Sequence, residues 1–224
     1  MPAGVPMTLS VDLFFSFRSP YSYLALPKTL KLAADYDATV NLRPVYPLAV
    51  RVPGFFKKTN PQFARYVVLD SSRVARHENI PFRFPRPDPI VQDMTTLEIA
   101  EHQPYIHRLT RLGAAAQIEG RSLAFTDAIS RVLWDGSVNG WNEGEHLADA
   151  ASAAGFDLAA MDAAITADPD RYERVISGNE QDHAASGHWG VPTFAFENEP
   201  FFGQDRIDLL IWRMESKGLS RREK

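Results

Sequence analysis

Three short motifs in this chain combine hydroxyl, carboxylate and backbone groups in ways that could hold and activate a small ligand. In chain order they are Ser19-Pro20-Tyr21-Ser22, Gly190-Val191-Pro192-Thr193 and Phe202-Gly203-Gln204-Asp205-Arg206. A hydroxyl at a helix N-terminus stabilises an anion placed against it, because the free N–H groups and the helix dipole carry partial positive charge. The Ser-Pro pair of the first motif is also an ordinary helix start, with serine as the cap and proline in the first turn.

The second and third motifs have the same two interpretations. Pro192 stands at the start of a strand, where a cis peptide bond would turn backbone groups outward, although a trans proline on an edge strand is the commoner case. In the third motif, free N–H groups could hold a carboxylate and Asp205 an amine, which would suit an α-amino-acid head group. The ordinary alternative is a glycine turn followed by a helix with an acidic first turn.

The elements around these motifs predict one α/β domain built from both ends of the chain. A buried strand over 10–17, a helix over 20–36 and a strand over 39–43 form a βαβ unit, which requires a parallel sheet. The first motif then lies at the carboxyl end of a strand, where α/β sheets bind ligands. Residues 191–196 and 200–202 predict a hairpin, and a helix follows to about residue 215.

The middle of the chain is predominantly helical. Residues 46–63 are predicted to be irregular, and a Pro-rich stretch over 80–89 to be extended. The helices are predicted over 62–77, 94–118, 123–134, 145–154, a short stretch from 157, and 168–185. The second of these is disturbed by Pro104. We interpret residues 8–50 and 187–218 as the two parts of the α/β domain and residues 51–186 as a helical insertion.

Composition excludes several kinds of chemistry. The 224 residues include no Cys, so a disulfide, a thiolate nucleophile, Cys-bound zinc and dithiol redox chemistry are all excluded. The pairs His102/His107 and His183/His188 are each five residues apart, about 140° around a helix, and therefore do not share a face for a metal. We predict no metal site.

The charge balance and the termini predict a cytoplasmic protein without nucleic-acid or membrane partners. The 24 Lys and Arg residues against 28 Asp and Glu residues give a net charge of −4, which argues against a nucleic-acid surface. The basic residues at 221–224 are interpreted as a frayed tail. Residues 1–6 lack the features of a signal peptide, and no apolar run is long enough to span a membrane.

The three motifs in this order, with the strand–helix run 14–25, resemble the thioredoxin fold of the disulfide-oxidoreductase, DsbA-like type. More narrowly, the chain is similar to 2-hydroxychromene-2-carboxylate isomerases and their relatives, the kappa-class glutathione transferases. The resemblance extends over essentially the whole chain. It implies an α/β, thioredoxin-like fold with a large all-helical insertion, and Ser19-Pro20-Tyr21-Ser22 takes the place of the C-x-x-C of redox relatives.

The resemblance also implies glutathione as the cofactor. Ser19 matches the catalytic serine, whose hydroxyl would stabilise the glutathione thiolate. Val191, before an expected cis Pro192, would pair its backbone with the cysteinyl part of glutathione, and Gln204 and Asp205 would hold the γ-glutamyl head. Relatives further use an asparagine and a basic residue early in the insertion, for which Asn60 and Lys57 are our candidates, with Lys58 and Arg51 also available.

The activity implied is cis–trans isomerisation of an aromatic 2-oxo acid through reversible addition of the glutathione thiolate, in aromatic-compound catabolism. Two alternatives remain open at this point: a kappa-like transferase that conjugates electrophiles, and a non-catalytic thioredoxin-fold binding protein. Relatives of this kind imply a homodimer and a small aromatic substrate. The substrate wall is expected to be aromatic, and the candidates are Phe17, Tyr21, Tyr46, Phe55, Phe56 and Trp189.

Overall fold

A four-stranded sheet forms the centre of the part of the chain that the computed structural model describes, residues 8–93, 95–96 and 98–222. The strands are β1 (Leu9–Phe15), β2 (Ala38–Pro44), β3 (Thr193–Phe196) and β4 (Glu199–Phe202). Their order in the sheet is β2-β1-β3-β4, with β1 parallel to β2 and antiparallel to β3, and β3 antiparallel to β4. Both ends of the chain therefore build the same sheet.

Helices surround this sheet and fill the segment between its two halves. They are α1 (Pro20–Asp35), α2 (Leu48–Arg51), α3 (Phe55–Lys58), α4 (Pro61–His77), α5 (Pro104–Ile118), α6 (Ser122–Trp134), α7 (His146–Ala153), α8 (Leu158–Ala167), α9 (Pro169–Ala185) and α10 (Ile207–Glu215). The parallel βαβ unit predicted from the sequence is confirmed, with β1 and β2 in register from Leu9 opposite Ala38 to Phe15 opposite Pro44.

The hairpin between β3 and β4 turns through two residues. Glu197 and Asn198 have φ angles of 49° and 65°, the left-handed conformation that a two-residue type I′ hairpin loop requires at both positions. Asparagine tolerates this conformation better than most residues. The tight turn sets the pairing of Thr193 with Phe202, so both ends of the hairpin emerge at the same edge of the sheet.

One continuous hydrophobic cluster joins the sheet to the helical segment. β1 contributes Leu13 and Phe15, and α6 contributes Phe125, all of them fully buried. A hydrogen bond ties the two parts together beside the first motif, because the indole Nε1 of Trp134 donates to the carbonyl of Phe17 over 2.9 Å. The helical segment thus fixes the position of the backbone that follows β1.

Two stretches differ from the sequence-based prediction. The helix predicted over 94–118 begins only at Pro104, because the Asp93 carboxylate accepts hydrogen bonds from the N–H groups of Thr95 and Thr96 and closes a turn. Met94 and Leu97 lie outside the described residues. The region 46–63, predicted to be irregular, contains the one-turn helices α2 and α3.

The basic end of the chain is not frayed where the structure describes it. Arg221 forms an isolated antiparallel bridge with Tyr36, and the backbone N–H of Arg222 donates to the carbonyl of Asp35 over 2.9 Å. The prediction of a frayed tail was therefore wrong for these two residues, while residues 223–224, like residues 1–6, fall outside the described part. Among the described helices, none is long and apolar enough to cross a membrane.

Candidate functional site

Ser19 lies at the junction between β1 and α1 and bridges two parts of the fold. Its side-chain oxygen accepts a hydrogen bond from the backbone N–H of Ser22 over 3.2 Å, so it caps α1 as the sequence predicted. The same hydroxyl donates to the backbone carbonyl of Val191 over 3.3 Å. A half-buried hydroxyl is thereby fixed between a helix N-terminus and the loop that precedes β3.

The Val191–Pro192 peptide bond is cis, which confirms the expectation drawn from the family resemblance; the position of the proline alone favoured a trans bond. The backbone N–H of Val191 has no hydrogen-bond partner in the described part of the chain. The carbonyl of Pro192 accepts a hydrogen bond from the N–H of Gly203 over 2.9 Å. The second motif is therefore joined to the first through Ser19 and to the third through Gly203.

The third motif depends on its glycine. Gly203 has a φ of 114°, a conformation that other residues rarely adopt, and a Cβ there would lie only 2.5 Å from Oδ1 of Asp205. Glycine thus lets the Asp205 carboxylate fold back over the turn. Asp205 is exposed, forms an ion pair with Arg206, and is one of the charges that raise the pKa of Tyr21. The partly exposed Gln204 side chain bonds to no described residue.

Asn60 and Lys57 lie on elements apart from this junction. Asn60 caps α4 by accepting a hydrogen bond from the N–H of Gln62 over 2.9 Å, and exposed Lys57 pairs with Glu98 over 2.7 Å. In the described residues, no hydrogen bond or ion pair connects either of them to Ser19, Val191, Pro192, Gln204 or Asp205. Their contribution to ligand binding stays a prediction.

Arg51, a basic residue of the early insertion, contacts Trp189, the residue before the second motif. Its Nη2 donates to the carbonyl of Trp189 over 3.3 Å, and its Nε lies 3.8 Å from a carboxylate oxygen of Glu180. Burial lowers the pKa of Arg51 and raises that of Glu180. The largely buried guanidinium of Arg51 therefore contacts the backbone two residues before Val191.

An apolar cavity of about 160 Å³ opens beside Ser19, since the residues on either side of the serine, Arg18 and Pro20, both line it. Its other walls are mainly aromatic and aliphatic, and they include Phe56, Phe63, Val67, Phe84, Pro89 and Trp134. Among the six aromatic residues predicted to face a substrate, only Phe56 lines this cavity. Phe17 is instead buried in the core, against Phe15.

A bidentate ion pair stands at the same cavity. Nε and Nη2 of Arg18 each donate to one oxygen of the Asp88 carboxylate over 3.0 Å, and the guanidinium lies 5.2 Å from the centre of the Phe56 ring. Neither Arg18 nor Asp88 was among the site residues predicted from sequence. The position of Arg18 immediately before Ser19 is the signal that could have suggested it.

A second interaction missed from sequence joins α1 to α4. The Tyr21 hydroxyl donates to the Asp70 carboxylate over 2.7 Å, and Tyr66 donates to the other oxygen over 3.3 Å. Burial, and then the bond to Asp70, raise the pKa of Tyr21, so its phenol stays neutral. This bond holds α4, which Asn60 caps, against the start of α1, which Ser19 caps.

Comparison with known proteins agrees with the α/β, thioredoxin-like fold expected from the sequence. A family model described as "DSBA-like thioredoxin domain" matches residues 10–214. A 2-hydroxychromene-2-carboxylate isomerase of Pseudomonas putida is 26% identical over 218 residues, which cover 89% of this chain and 91% of that protein. The solved structure of a 2-hydroxychromene-2-carboxylate isomerase has a TM-score of 0.66 at 22% identity, and covers 93% of this chain and 96% of its own. A probable DsbA oxidoreductase from Streptomyces coelicolor has a TM-score of 0.64 at 21% identity, with 96% and 93% coverage.

Proposed function

Because this chain belongs to the DSBA-like thioredoxin domain family, we propose that it is a glutathione-dependent isomerase of the 2-hydroxychromene-2-carboxylate type. The chain has no Cys, so it cannot exchange disulfides through its own side chains as a redox member of a thioredoxin-like family would. A thiol used at this site must come from a bound molecule. The relatives that bear the isomerase name supply the class of reaction.

The observation that carries this proposal is the hydroxyl of Ser19, held between the N-terminus of α1 and the Val191 carbonyl. A thiol placed against it would meet the positive end of a helix dipole and, once the single O–H turns from the Val191 carbonyl toward the sulfur, an O–H donor. Both interactions favour the charged form of a thiol and lower its pKa. Ser19 would act as a donor to sulfur rather than as a nucleophile, since neither of its hydrogen-bond partners, Ser22 N–H and Val191 C=O, is a base.

The groups around Ser19 fit the peptide parts of glutathione. Among the described residues, the N–H of Val191 has no partner and its carbonyl accepts only from the Ser19 hydroxyl, so the backbone of Val191 can pair with an extended peptide as an added strand would. The exposed Asp205 carboxylate, at the turn joined to Pro192 through Gly203, suits the α-amino group of the γ-glutamyl head. Gln204 adds an amide at the same turn.

Bound glutathione would supply a thiolate that adds reversibly to a conjugated double bond, which becomes single, rotates and is restored on elimination. The chain's contribution is to orient the reactants and exclude water. The cavity beside Ser19 offers Phe56, Phe84 and Trp134 to an aromatic ring. The guanidinium of Arg18, held by Asp88, places positive charge at the same cavity, where charge would develop on a 2-oxo acid.

The decisive experiment measures the ultraviolet thiolate absorbance of added reduced glutathione against pH, with and without the protein. Since the chain has no Cys, a thiolate signal below the range of tyrosine ionisation belongs to glutathione. We expect a bound thiol pKa well below the ordinary value of about 8.5. Absence of binding, or binding without a shift, would overturn the proposal.

An assay with a 2-hydroxychromene-2-carboxylate then separates isomerisation from conjugation. An isomerase returns glutathione after each turnover, so glutathione well below the substrate concentration should suffice for complete conversion. Consumption of one glutathione per product molecule would indicate the transferase reaction instead.

A further inference from the structure

The backbone carbonyl of Gly190 accepts two hydrogen bonds from buried side chains. Nε2 of His183 lies 2.9 Å from this oxygen and Oγ1 of Thr193 lies 2.6 Å from it. Because a carbonyl oxygen can only accept, Nε2 of His183 must carry the hydrogen, which fixes the tautomer of the neutral ring. Two donors, one on α9 and one at the start of β3, therefore hold one peptide group.

The surroundings of His183 favour the hydrogen bond from its Nε2 to the Gly190 carbonyl. The side chain is fully buried and stacks on Phe14, with ring centres 4.7 Å apart and planes inclined by 19°. Its Nδ1 is buried and has no partner among the described residues. Burial, with smaller effects from the Arg51 and His188 charges, lowers the pKa of His183 to about 4. At neutral pH the ring is uncharged, and its one N–H points at the Gly190 carbonyl.

The peptide between Gly190 and Val191 is trans, so its C=O and N–H point in opposite directions. With the carbonyl held by His183 and Thr193, the N–H of Val191 is directed away from them, and it has no hydrogen-bond partner among the residues that the structure describes. Gly190 adds a further restraint, because a Cβ there would lie 2.6 Å from the Phe202 ring. Hydrogen bonds to a carbonyl also polarise the N–H of the same peptide.

We propose that His183 and Thr193 are positioning residues that orient the Val191 N–H for hydrogen bonding to an extended, peptide-like ligand. This inference rests on the proposed function, in which that ligand is glutathione. Neither side chain touches the ligand. Both act through the Gly190 carbonyl. His183 is buried like a core residue, and its hydrogen bond to this carbonyl makes it part of the binding site.

The test replaces each of the two side chains by one of similar shape that lacks the hydrogen-bond donor. His183→Phe retains an aromatic ring against Phe14 and loses the Nε2 donor, and Thr193→Val is isosteric without the hydroxyl. Titration calorimetry with reduced glutathione should give a Kd about tenfold weaker for either variant, as expected when one positioning hydrogen bond is lost. His183→Gln, which retains an N–H donor, should recover part of the affinity. The kcat at saturating glutathione should change little.

Ser186→Ala is the matched control. It removes a buried hydroxyl bond to the His183 carbonyl, 2.7 Å long, without touching Gly190. Unfolding midpoints are measured for every protein so that binding is compared only between folded samples. Glutathione affinity equal to wild type in both His183→Phe and Thr193→Val, or weakened equally in Ser186→Ala, would overturn the inference.

A second measurement is independent of glutathione. In ¹⁵N–¹H spectra of the free protein, the Val191 amide should give one sharp resonance in wild type and a broadened or shifted one in His183→Phe and Thr193→Val. If wild type binds no glutathione, the proposed function fails, and this amide signal still decides the inference. A Val191 resonance that is unchanged in both variants would overturn it.

Discussion

The hydroxyl of Ser19 lies 3.3 Å from the backbone carbonyl of Val191, although 172 positions separate the two residues in the chain. The order of the strands produces this contact. β1 pairs antiparallel with β3, with Phe14 opposite Thr193, so the end of the first strand meets the start of the third. The helix that begins at Ser19 is consequently directed at the loop that carries the cis Pro192.

Replacement of Ser19 by alanine should abolish most of the activity and leave the fold intact. The change removes the donor to sulfur, for which we expect kcat to fall by about a hundredfold, as on removal of one donor to a developing anion. It also removes the N-cap of α1, which costs about 1 kcal/mol of stability. The measurements are kcat at saturating glutathione, the pKa of bound thiol and the free energy of unfolding.

Asp157→Ala provides the matched control, because Asp157 caps α8 by accepting a hydrogen bond from the N–H of Ala160 over 3.0 Å. This variant should lose a similar stability and keep full activity. Wild-type turnover in Ser19→Ala, or an equal loss in both variants, would remove Ser19 from the reaction.

Asp205→Ala should raise the glutathione concentration needed for half-saturation by about tenfold, because it removes a charged partner for the α-amino group. The rate at saturating glutathione should fall much less, since Asp205 is not placed to touch the reacting sulfur. Steady-state kinetics with glutathione as the varied reactant separate the two effects. A glutathione dependence equal to that of wild type would exclude Asp205 from the site.

Asp208→Ala is the control for net charge. Asp208 is exposed in the first turn of α10, three positions from Asp205, and its removal changes the charge of the protein by the same amount. We expect its glutathione dependence to match wild type. A rise equal to that of Asp205→Ala would indicate a general electrostatic effect instead of a specific contact.

The elements that position Ser19 were predictable from local sequence. The aromatic and β-branched residues of β1, the Ser19-Pro20 cap and the Pro44 stop indicate strand, helix and strand without further information. Each of these signals is contained within a few neighbouring residues. The cis bond before Pro192 was expected from the family resemblance, because the position of the proline alone favours a trans bond.

The contacts that complete the site have no such local signal. Asp70 meets Tyr21 across 49 positions and Asp88 meets Arg18 across 70, and nothing in the sequence around either aspartate distinguishes it from a solvated carboxylate. The apolar cavity likewise combines residues from several distant elements. The irregular stretch before Pro104 was mistaken for helix because the Asx turn at Asp93 depends on one side chain competing with the backbone.

Phe56→Ala should weaken binding of the aromatic substrate and leave glutathione binding unchanged. Phe56 lines the cavity beside Ser19 and lies under the Arg18 guanidinium. Its loss removes an apolar wall worth about 1–3 kcal/mol for a bound ring, so KM for the substrate should rise by about tenfold or more. Leu209→Ala, which removes an exposed apolar side chain on α10, is the control and should keep the wild-type KM. A rise in the Kd of glutathione in place of the substrate KM would contradict the assignment of this cavity.

The buried histidine predicts a specific loss of stability in acid. The pKa of His183 is about 4 in the folded protein, against an ordinary value of 6.5. Between these values the unfolded chain binds a proton at His183 and the folded protein does not, so stability is complete above about pH 6.5 and falls as the pH falls toward 4. A difference of about 2.5 pKa units corresponds to on the order of 3 kcal/mol.

Urea unfolding of wild type and His183→Phe at pH 7 and pH 4.5 tests this expectation. Other groups titrate in the same range, and the raised pKa of Glu180 acts in the opposite direction, because a carboxyl that binds its proton more tightly when folded gains stability as the pH falls. Groups of this kind are present in both proteins and cancel in the comparison. Wild type should lose about 2–3 kcal/mol more than His183→Phe on acidification. Equal losses would show that His183 can take up a proton in the folded protein at little cost, which is incompatible with a ring held between Phe14 and the Gly190 carbonyl.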